Sequence, residues 1–408
     1  MQATQLYLDT ARLGRMSLQA QQAHMDFTRL AGEEGGSLFY ERFLREGADD
    51  WSPSIRCAFP GLTCWRGLAA LKEDLRTLTG ADADLPVLMV NRSSQLMSFA
   101  ARLLFQRCRN VLVTDLGWPP YRQILEREAL RSGRKVTSVA LTPLISDPQM
   151  TADAVIRFIR EAYQQSGCDG LFLTAVSHLG VQLPVEGIVR SIEATREVRF
   201  AAVDGAQDFC HTFGDLRTGA CDLYLAGSHK WLRGFHPMGL GFYGRRSSKG
   251  LIETLLNHLI ATRELDDPLL RFTTQLETAA LDGESETVNL IPLFTCQGAV
   301  SDALQEDSLT LGGLRARKQN AIQAAEWAQA SGWHPLLPAA PFQTGILLLQ
   351  AERKQLSELT PQELRHRFAL EGVALTAYEA GVVRLSMLDS AWKVPDKDVL
   401  HSALSSVA

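Results

Sequence analysis

Between Pro86 and Tyr243, short unbroken apolar runs alternate with stretches whose apolar positions recur every three or four residues. VLMV (87–90) leads through a Ser-rich turn into QLMSFAARLLFQR, and NVLVTD (110–115) through Trp118-Pro119-Pro120 into YRQILEREALRSG. KVTSVALT (135–142) precedes TADAVIRFIREAYQQSG, and GLFLTAVS (170–177) precedes PVEGIVRSIEATREV. RFAAVD (199–204), DLYLAGSH (222–229) and GLGFYG (239–244) complete the series. Runs of the first kind predict strands buried on both faces, and the second kind predicts amphipathic helices. The fold class expected is therefore α/β, a large domain with a mostly parallel sheet sandwiched by helices. Ligands of such sheets bind outside the carboxyl ends of the strands.

The pattern changes towards the C-terminus. GGLRARKQNAIQAAEWAQASG (312–332) and PQELRHRFALEG (361–372) read as helices, TGILLLQAE (344–352) and VVRLSML (382–388) as strands, and a last helix follows. This predicts a smaller α+β domain. The division expected is an N-terminal segment 1–30 packing near the small domain, a large domain 31–295 and a small domain 296–408, with the boundary near Leu290 to Gly312.

With 408 residues the chain is long enough for two cores. Its 46% hydrophobic and 21% charged residues are ordinary for a globular enzyme. A net charge of −5 without basic runs gives no reason to expect nucleic acid. No apolar run approaches the ~18 residues of a spanning helix, so no membrane partner is expected. The start, MQATQLYLDTARLGRM, lacks the apolar core of a secretion signal. Seven cysteines at irregular spacing, without CxxC, argue against a disulfide framework and a zinc site, and for a reducing cytoplasm.

The chemistry concentrates in 202–245. Asp204 ends the apolar run FAAV, and Lys230 lies downstream between Ser228-His229 and Trp231. A lysine amine to hold an aldehyde and an acid to keep a pyridine nitrogen protonated are what pyridoxal phosphate needs. Asp204 alone reads equally well as a turn residue before Gly205, but Gln207 and Lys230 weaken that reading. Lys230 sits between apolar residues, and burial favours a neutral, nucleophilic amine. Ser228 and His229 beside it carry donors that suit a phosphate. Ser93 and Ser94, between VLMV and a helix, read either as N-caps or as a phosphate site at a helix N-terminus, and the two are compatible. Trp118, held by Pro119-Pro120, is either a loop aromatic or a ring stacked on the pyridine. Arg384 in an apolar strand needs a partner, either a substrate carboxylate or a structural Asp or Glu. The GLG at 239–241 serves close packing rather than nucleotide binding.

In series, VDGAQ (203–207), SHKWL (228–232) followed by GLGF (239–242), DLGWPPY (115–121), VSH (176–178) with the later LPVEGI, and VVRLSM (382–387) resemble the class V aminotransferase family of fold-type-I pyridoxal-phosphate-dependent enzymes. The wording HKWL is similar to the isopenicillin-N-epimerase-like branch. The resemblance implies that Lys230 is the catalytic Schiff-base lysine and that Asp204 pairs with the pyridine nitrogen. It implies Gln207 at the ring hydroxyl, Ser228, His229, Ser93 and Ser94 at the phosphate, Trp118 in the stacking position and Arg384 on the substrate carboxylate. It further implies a homodimer with active sites at the interface. GESETVNL (283–290) resembles the segment a neighbouring subunit contributes to the phosphate, making Ser285 or Thr287 candidates. The expected activity is that of an aminotransferase or C–S/β-elimination lyase acting on an amino acid. The alternatives are an epimerase or racemase, or a protein of this fold without turnover.

Three departures qualify the resemblance. No cysteine follows Cys296, which argues against persulfide-forming desulfuration. The stretch VSHLGVQLP is short, leaving the ring-hydroxyl partner at this position open. GFHPMG after the lysine is long, which implies different local substrate contacts.

Overall fold

The computed structural model describes residues 6–34, 37–212, 214–278, 287–305 and 311–408, the side chains of 34, 37–40 and 311 excepted. Among these residues the strands are β1 (Leu6–Tyr7), β2 (Val87–Val90), β3 (Asn110–Thr114), β4 (Lys135–Val139), β5 (Gly170–Thr174), β6 (Phe200–Asp204), β7 (Leu223–Gly227), β8 (Gly239–Tyr243), β9 (Trp333–Pro335), β10 (Ile346–Ala351), β11 (Val373–Ala374), β12 (Thr376–Tyr378) and β13 (Val382–Ser386).

The large sheet has the order β2-β8-β7-β6-β5-β3-β4. Its neighbours pair in parallel except around β8, which runs antiparallel between β2 and β7. Successive residues of a strand serve opposite faces, and the two layers follow from that alternation. In β3, Leu112 joins one apolar cluster while Val111 and Val113 join the other. In β6, Ala201 and Val203 face the first cluster, Phe200 and Ala202 the second. Helices Leu68–Thr79, Ala152–Gln165 and Val185–Glu193 cover one face, and Ser93–Arg107, Pro119–Ser132 and Lys249–Ala261 the other. Their ends carry ordinary punctuation. Helix Pro119–Ser132 opens on two prolines and stops at Gly133, whose φ of 66° is left-handed. Thr151 caps Ala152–Gln165 by accepting from the Ala154 N–H at 3.2 Å.

The strand expected over 135–142 is shorter than its apolar run. β4 is an edge strand with no buried residue. Beyond Val139 the Asp115 carboxylate takes the Leu141 and Thr142 N–H groups at 2.7 and 3.1 Å and turns the chain into the short helix Thr142–Ile145.

The smaller antiparallel sheet, β12-β13-β10-β9, is backed by helices Leu311–Ala330, Pro361–Leu370 and Val394–Val407 around Trp333, Leu347, Phe368, Leu385 and Leu400. The expected boundary between 295 and 296 falls inside helix Ile291–Gln305, whose Phe294, Cys296 and Val300 all join the large sheet's cluster. Segment 1–30 is likewise shared. β1 pairs with β11 and places Leu6 and Leu8 in the small core, whereas Ala20, Phe27 and Leu30 of helix Leu18–Glu34 pack in the large one. No helix among the described residues is long and apolar enough to cross a membrane.

Candidate active site

The carboxyl ends of β2, β3, β5, β6 and β7 converge on a cavity of about 560 Å³. Ser93 and Trp118 follow β2 and β3, Thr174 and Asp204 end β5 and β6 side by side, and His229-Lys230 follow β7. The opposite wall comes from Ala11 and Arg12 of the N-terminal segment and from Thr376, Tyr378 and Arg384 of the small sheet. Seven residues singled out in the sequence thus share one cavity: Ser93, Trp118, Asp204, Gln207, His229, Lys230 and Arg384.

Asp204 is 5% exposed, and its Oδ1 accepts from the Ala206 N–H at 3.0 Å. Burial raises its pKa, opposed by that hydrogen bond and by Lys230. The following Gly205 is required by packing, not by a turn: a Cβ there would lie 2.0 Å from the Tyr224 ring. Burial pushes the Lys230 amine down to about 8, with Asp204 opposing and Arg384 reinforcing the fall. An appreciable neutral fraction near neutral pH is the form a covalent nucleophile needs. His229 is pushed to about 4, by burial and then by Lys230. His178 is pushed to about 4 as well, by burial and then by Arg384 and Lys230. Both imidazoles are neutral at pH 7.

Arg384, 5% exposed, resolves the two readings of its partner in favour of both. Its Nη1 donates to the His178 carbonyl at 3.1 Å and its Nη2 to the Thr376 hydroxyl at 3.2 Å, with Asp9 at 3.9 Å. Its buried Nε–H has no partner. His178 and His229 also carry a buried Nδ1 without one. Buried polar atoms are normally satisfied, so three orphans on one cavity fit a polar ligand. A buried lysine, a buried carboxylate and donors at the N-terminus of helix Ser93–Arg107 match the aldehyde, ring nitrogen and phosphate of pyridoxal phosphate. That helix has Arg92 at its N-cap with no side-chain cap, so Ser93 and Ser94 are not the caps the sequence offered. A Cβ at Gly239 would lie 2.9 Å from the Ser93 N, so β8 does approach this helix end closely.

Four candidates stand elsewhere or are otherwise engaged. Ser228 is fully buried and does not line the cavity; its hydroxyl donates to the His236 carbonyl at 3.1 Å and to that of Met238 at 3.5 Å. It fastens the long loop 228–238, in which Arg233 and Phe235 take positive φ of 66° and 62°. Ser94 is exposed and outside the cavity. Thr287 is exposed, while Ser285 lies outside the described residues. Gln207 lines the cavity but spends its amide on the chain: Nε2 donates to the Ala11 carbonyl at 2.6 Å, and Oε1 accepts from Trp231 Nε1 at 2.8 Å. Trp118, 45% exposed at the mouth, meets Tyr121 edge-on at 5.2 Å.

The short loop after Val176 closes on itself. Ser177 Oγ accepts from the Leu179 and Val181 N–H groups at 3.2 and 3.1 Å, and Gly180 turns at φ 88° where a Cβ would strike the Ile346 carbonyl. His178 is thereby left facing the cavity. Sequence reasoning gave no role to Asp9, Arg12, Tyr121, Thr174, His178, Thr376 or Tyr378. The pairing of YLDTARLG with the small sheet is a tertiary fact that no local pattern signals.

A seven-stranded sheet with one antiparallel strand, flanked by helices and joined to a small α+β unit, with a buried lysine opposite a buried aspartate, defines a fold-type-I pyridoxal-phosphate enzyme fold. Residues 66–263 match the family described as Aminotransferase class-V, and over that segment the chain belongs to the class V aminotransferase family. It is 30% identical to isopenicillin N epimerase of Streptomyces clavuligerus over 176 residues, 42% of this chain and 41% of that protein. The match thus spans less than half of that relative's length. Among solved structures, C-DES carrying a lysine-to-alanine change, with glycine covalently linked to its PLP cofactor, superposes with a TM-score of 0.70 at 13% identity, covering 98% of this chain and 97% of that one. The cysteine desulfurase CsdA of Escherichia coli gives 0.67 at 16%, covering 100% and 95%. An aspartate aminotransferase of Thermus thermophilus gives 0.62 at 15%, covering 98% of each.

Proposed function

We propose that this chain is a pyridoxal-phosphate-dependent enzyme that acts on an amino acid, as an aminotransferase or a β-elimination lyase. The observation that carries the reading is the burial of the Lys230 amine, lowered to about 8, in one cavity with Asp204 and Arg384. When bound, the cofactor supplies an aldehyde and a ring that withdraws electrons from the substrate α-carbon. Asp204 holds the proton at the ring nitrogen, and its seclusion from water strengthens that attraction. Ser93, the N–H groups of its helix end and His229 hold the phosphate. Trp118 and the facing wall exclude water from the ring. Arg384 fixes the substrate carboxylate, and the Lys230 Nζ takes the proton from the α-carbon. A second copy of the chain completes the site as a homodimer, bringing Thr287 or its neighbours to the phosphate.

Isopenicillin-N-epimerase-like chemistry is the second reading, favoured by the curated relative. It differs only in which face of the α-carbon receives the proton. Borohydride reduction followed by peptide mass spectrometry tests the common step, which requires the label on Lys230. An amino-acid panel then divides the reactions. Conversion of the cofactor to its amine form indicates transamination, keto acid plus ammonia elimination, and α-deuterium exchange alone epimerisation. A labelled Lys230 with no response to any amino acid would indicate a protein of this fold without turnover.

A further inference from the structure

The substrate-facing wall carries more positive charge than one α-carboxylate needs. Arg384 and Arg12 both line the cavity, the first with a 5% and the second with a 56% exposed side chain. Asp9 lies between them, 3.9 Å from Arg384 Nη2 and 3.8 Å from Arg12 Nη1, and accepts a hydrogen bond from the Thr376 hydroxyl. Attraction alone does not hold it there. The Leu8 N–H donates to the Ala374 carbonyl and the Ser386 N–H to the Leu8 carbonyl, each at 2.8 Å, and the Ala11 N–H donates to Ser386 Oγ at 2.9 Å. The backbone on either side of Asp9 is laced into the small sheet, so the carboxylate is placed before any substrate arrives.

The charges then count simply. Two guanidinium groups and one carboxylate leave one positive charge, enough for one substrate carboxylate. Deeper in the cavity Lys230 and Asp204 offset each other. Arg365, on helix Pro361–Leu370, acts on Asp9 from outside the cavity. The rest of the wall offers Trp118, Pro119, Tyr121, Val176 and Tyr378, which give a second carboxylate no cationic partner. We infer that the site selects α-amino acids with an uncharged side chain, and that Asp9 is the specificity-determining residue, occupying Arg12 and repelling a second carboxylate. Such selection works by building repulsion against the wrong ligand rather than extra attraction for the right one. The inference rests on the proposed function, because it takes Arg384 as the α-carboxylate anchor.

Calorimetric binding of two non-reacting acids, propionate and glutarate, to the holoenzyme tests it. Wild type should bind propionate about tenfold more tightly than glutarate, and Asp9→Asn should shift that ratio about tenfold towards glutarate, a unit charge at a half-desolvated site. Arg12→Ala, at an exposed position, should weaken propionate binding and leave glutarate without gain. Equal binding of the two acids to wild type, or an unchanged ratio in D9N, overturns the inference. Should borohydride label Lys230 while neither acid binds, the inference fails and the proposed function stands. If Lys230 takes no label, the proposed function itself fails.

Discussion

The two walls of the cavity are built in different ways. The wall from the large sheet takes its residues from strand ends, where the backbone ladder fixes each Cα: Asp204 lies in register with Thr174 on β5 and with Leu225 on β7. The facing wall is assembled from residues far apart in sequence, Asp9, Arg12, Thr376 and Arg384, and is held by side-chain and turn hydrogen bonds. The first wall has the geometry for covalent chemistry, which tolerates little displacement. The second suits recognition. The division teaches that lesions in the first should abolish reaction, and lesions in the second should alter what is bound.

The sharpest break of that comparison is Lys230→Ala. It removes both the covalent anchor and the proton acceptor, and turnover should fall by about a thousandfold or more, with the borohydride-trapped adduct lost from the peptide mass spectrum. Arg384→Lys keeps the charge and discards the planar fork, so KM should rise by about thirtyfold to a hundredfold while kcat changes much less. An equal loss in kcat would show that the second wall also takes part in the chemistry.

The pH dependence of Lys230 sharpens the first wall. Because its pKa is lowered to about 8, the amine is protonated and inert below that value and nucleophilic above it. Capture of the aldehyde by cofactor-free protein, followed by absorbance, should therefore slow about tenfold per pH unit below about 8 and level off above it. A surface lysine would instead level off near its ordinary value of about 10.4.

The smallest effect tests the joint between the walls. Gly14 donates its N–H to the His229 carbonyl at 2.8 Å, and a Cβ there would lie 2.0 Å from the Lys230 carbonyl. Gly14→Ala should cost about 1–3 kcal/mol of stability, measured by denaturant unfolding, because the backbone must move apart.

The sequence carried the α/β architecture because strands buried on both faces are written as unbroken apolar runs, as in VLVT and LYLA. It also carried Asp204, Lys230 and Arg384, since each is a charge set in an apolar stretch and so needs a reason to be buried. Ser228 misled because a serine beside a lysine reads the same whether its hydroxyl faces a ligand or staples its own loop. Only the position of the His236 carbonyl distinguishes the two. Gln207 was placed correctly on the cavity, yet the Ala11 and Trp231 partners that occupy its amide come from outside its own neighbourhood in sequence. Cys296 shows the same limit for packing: nothing local tells that helix Ile291–Gln305 belongs to the large core rather than the small one.

What the chain alone determined is therefore the set of elements and the reactive pair at two strand ends, because both depend on residues near one another in sequence. Tertiary structure decided the second wall, where segment 6–14 crosses to the small sheet and sets Asp9 between Arg12 and Arg384. The physical reason is that periodicity encodes which face a residue turns inward. Which distant segment lies opposite is fixed only when the cores close and the backbone hydrogen bonds between them form.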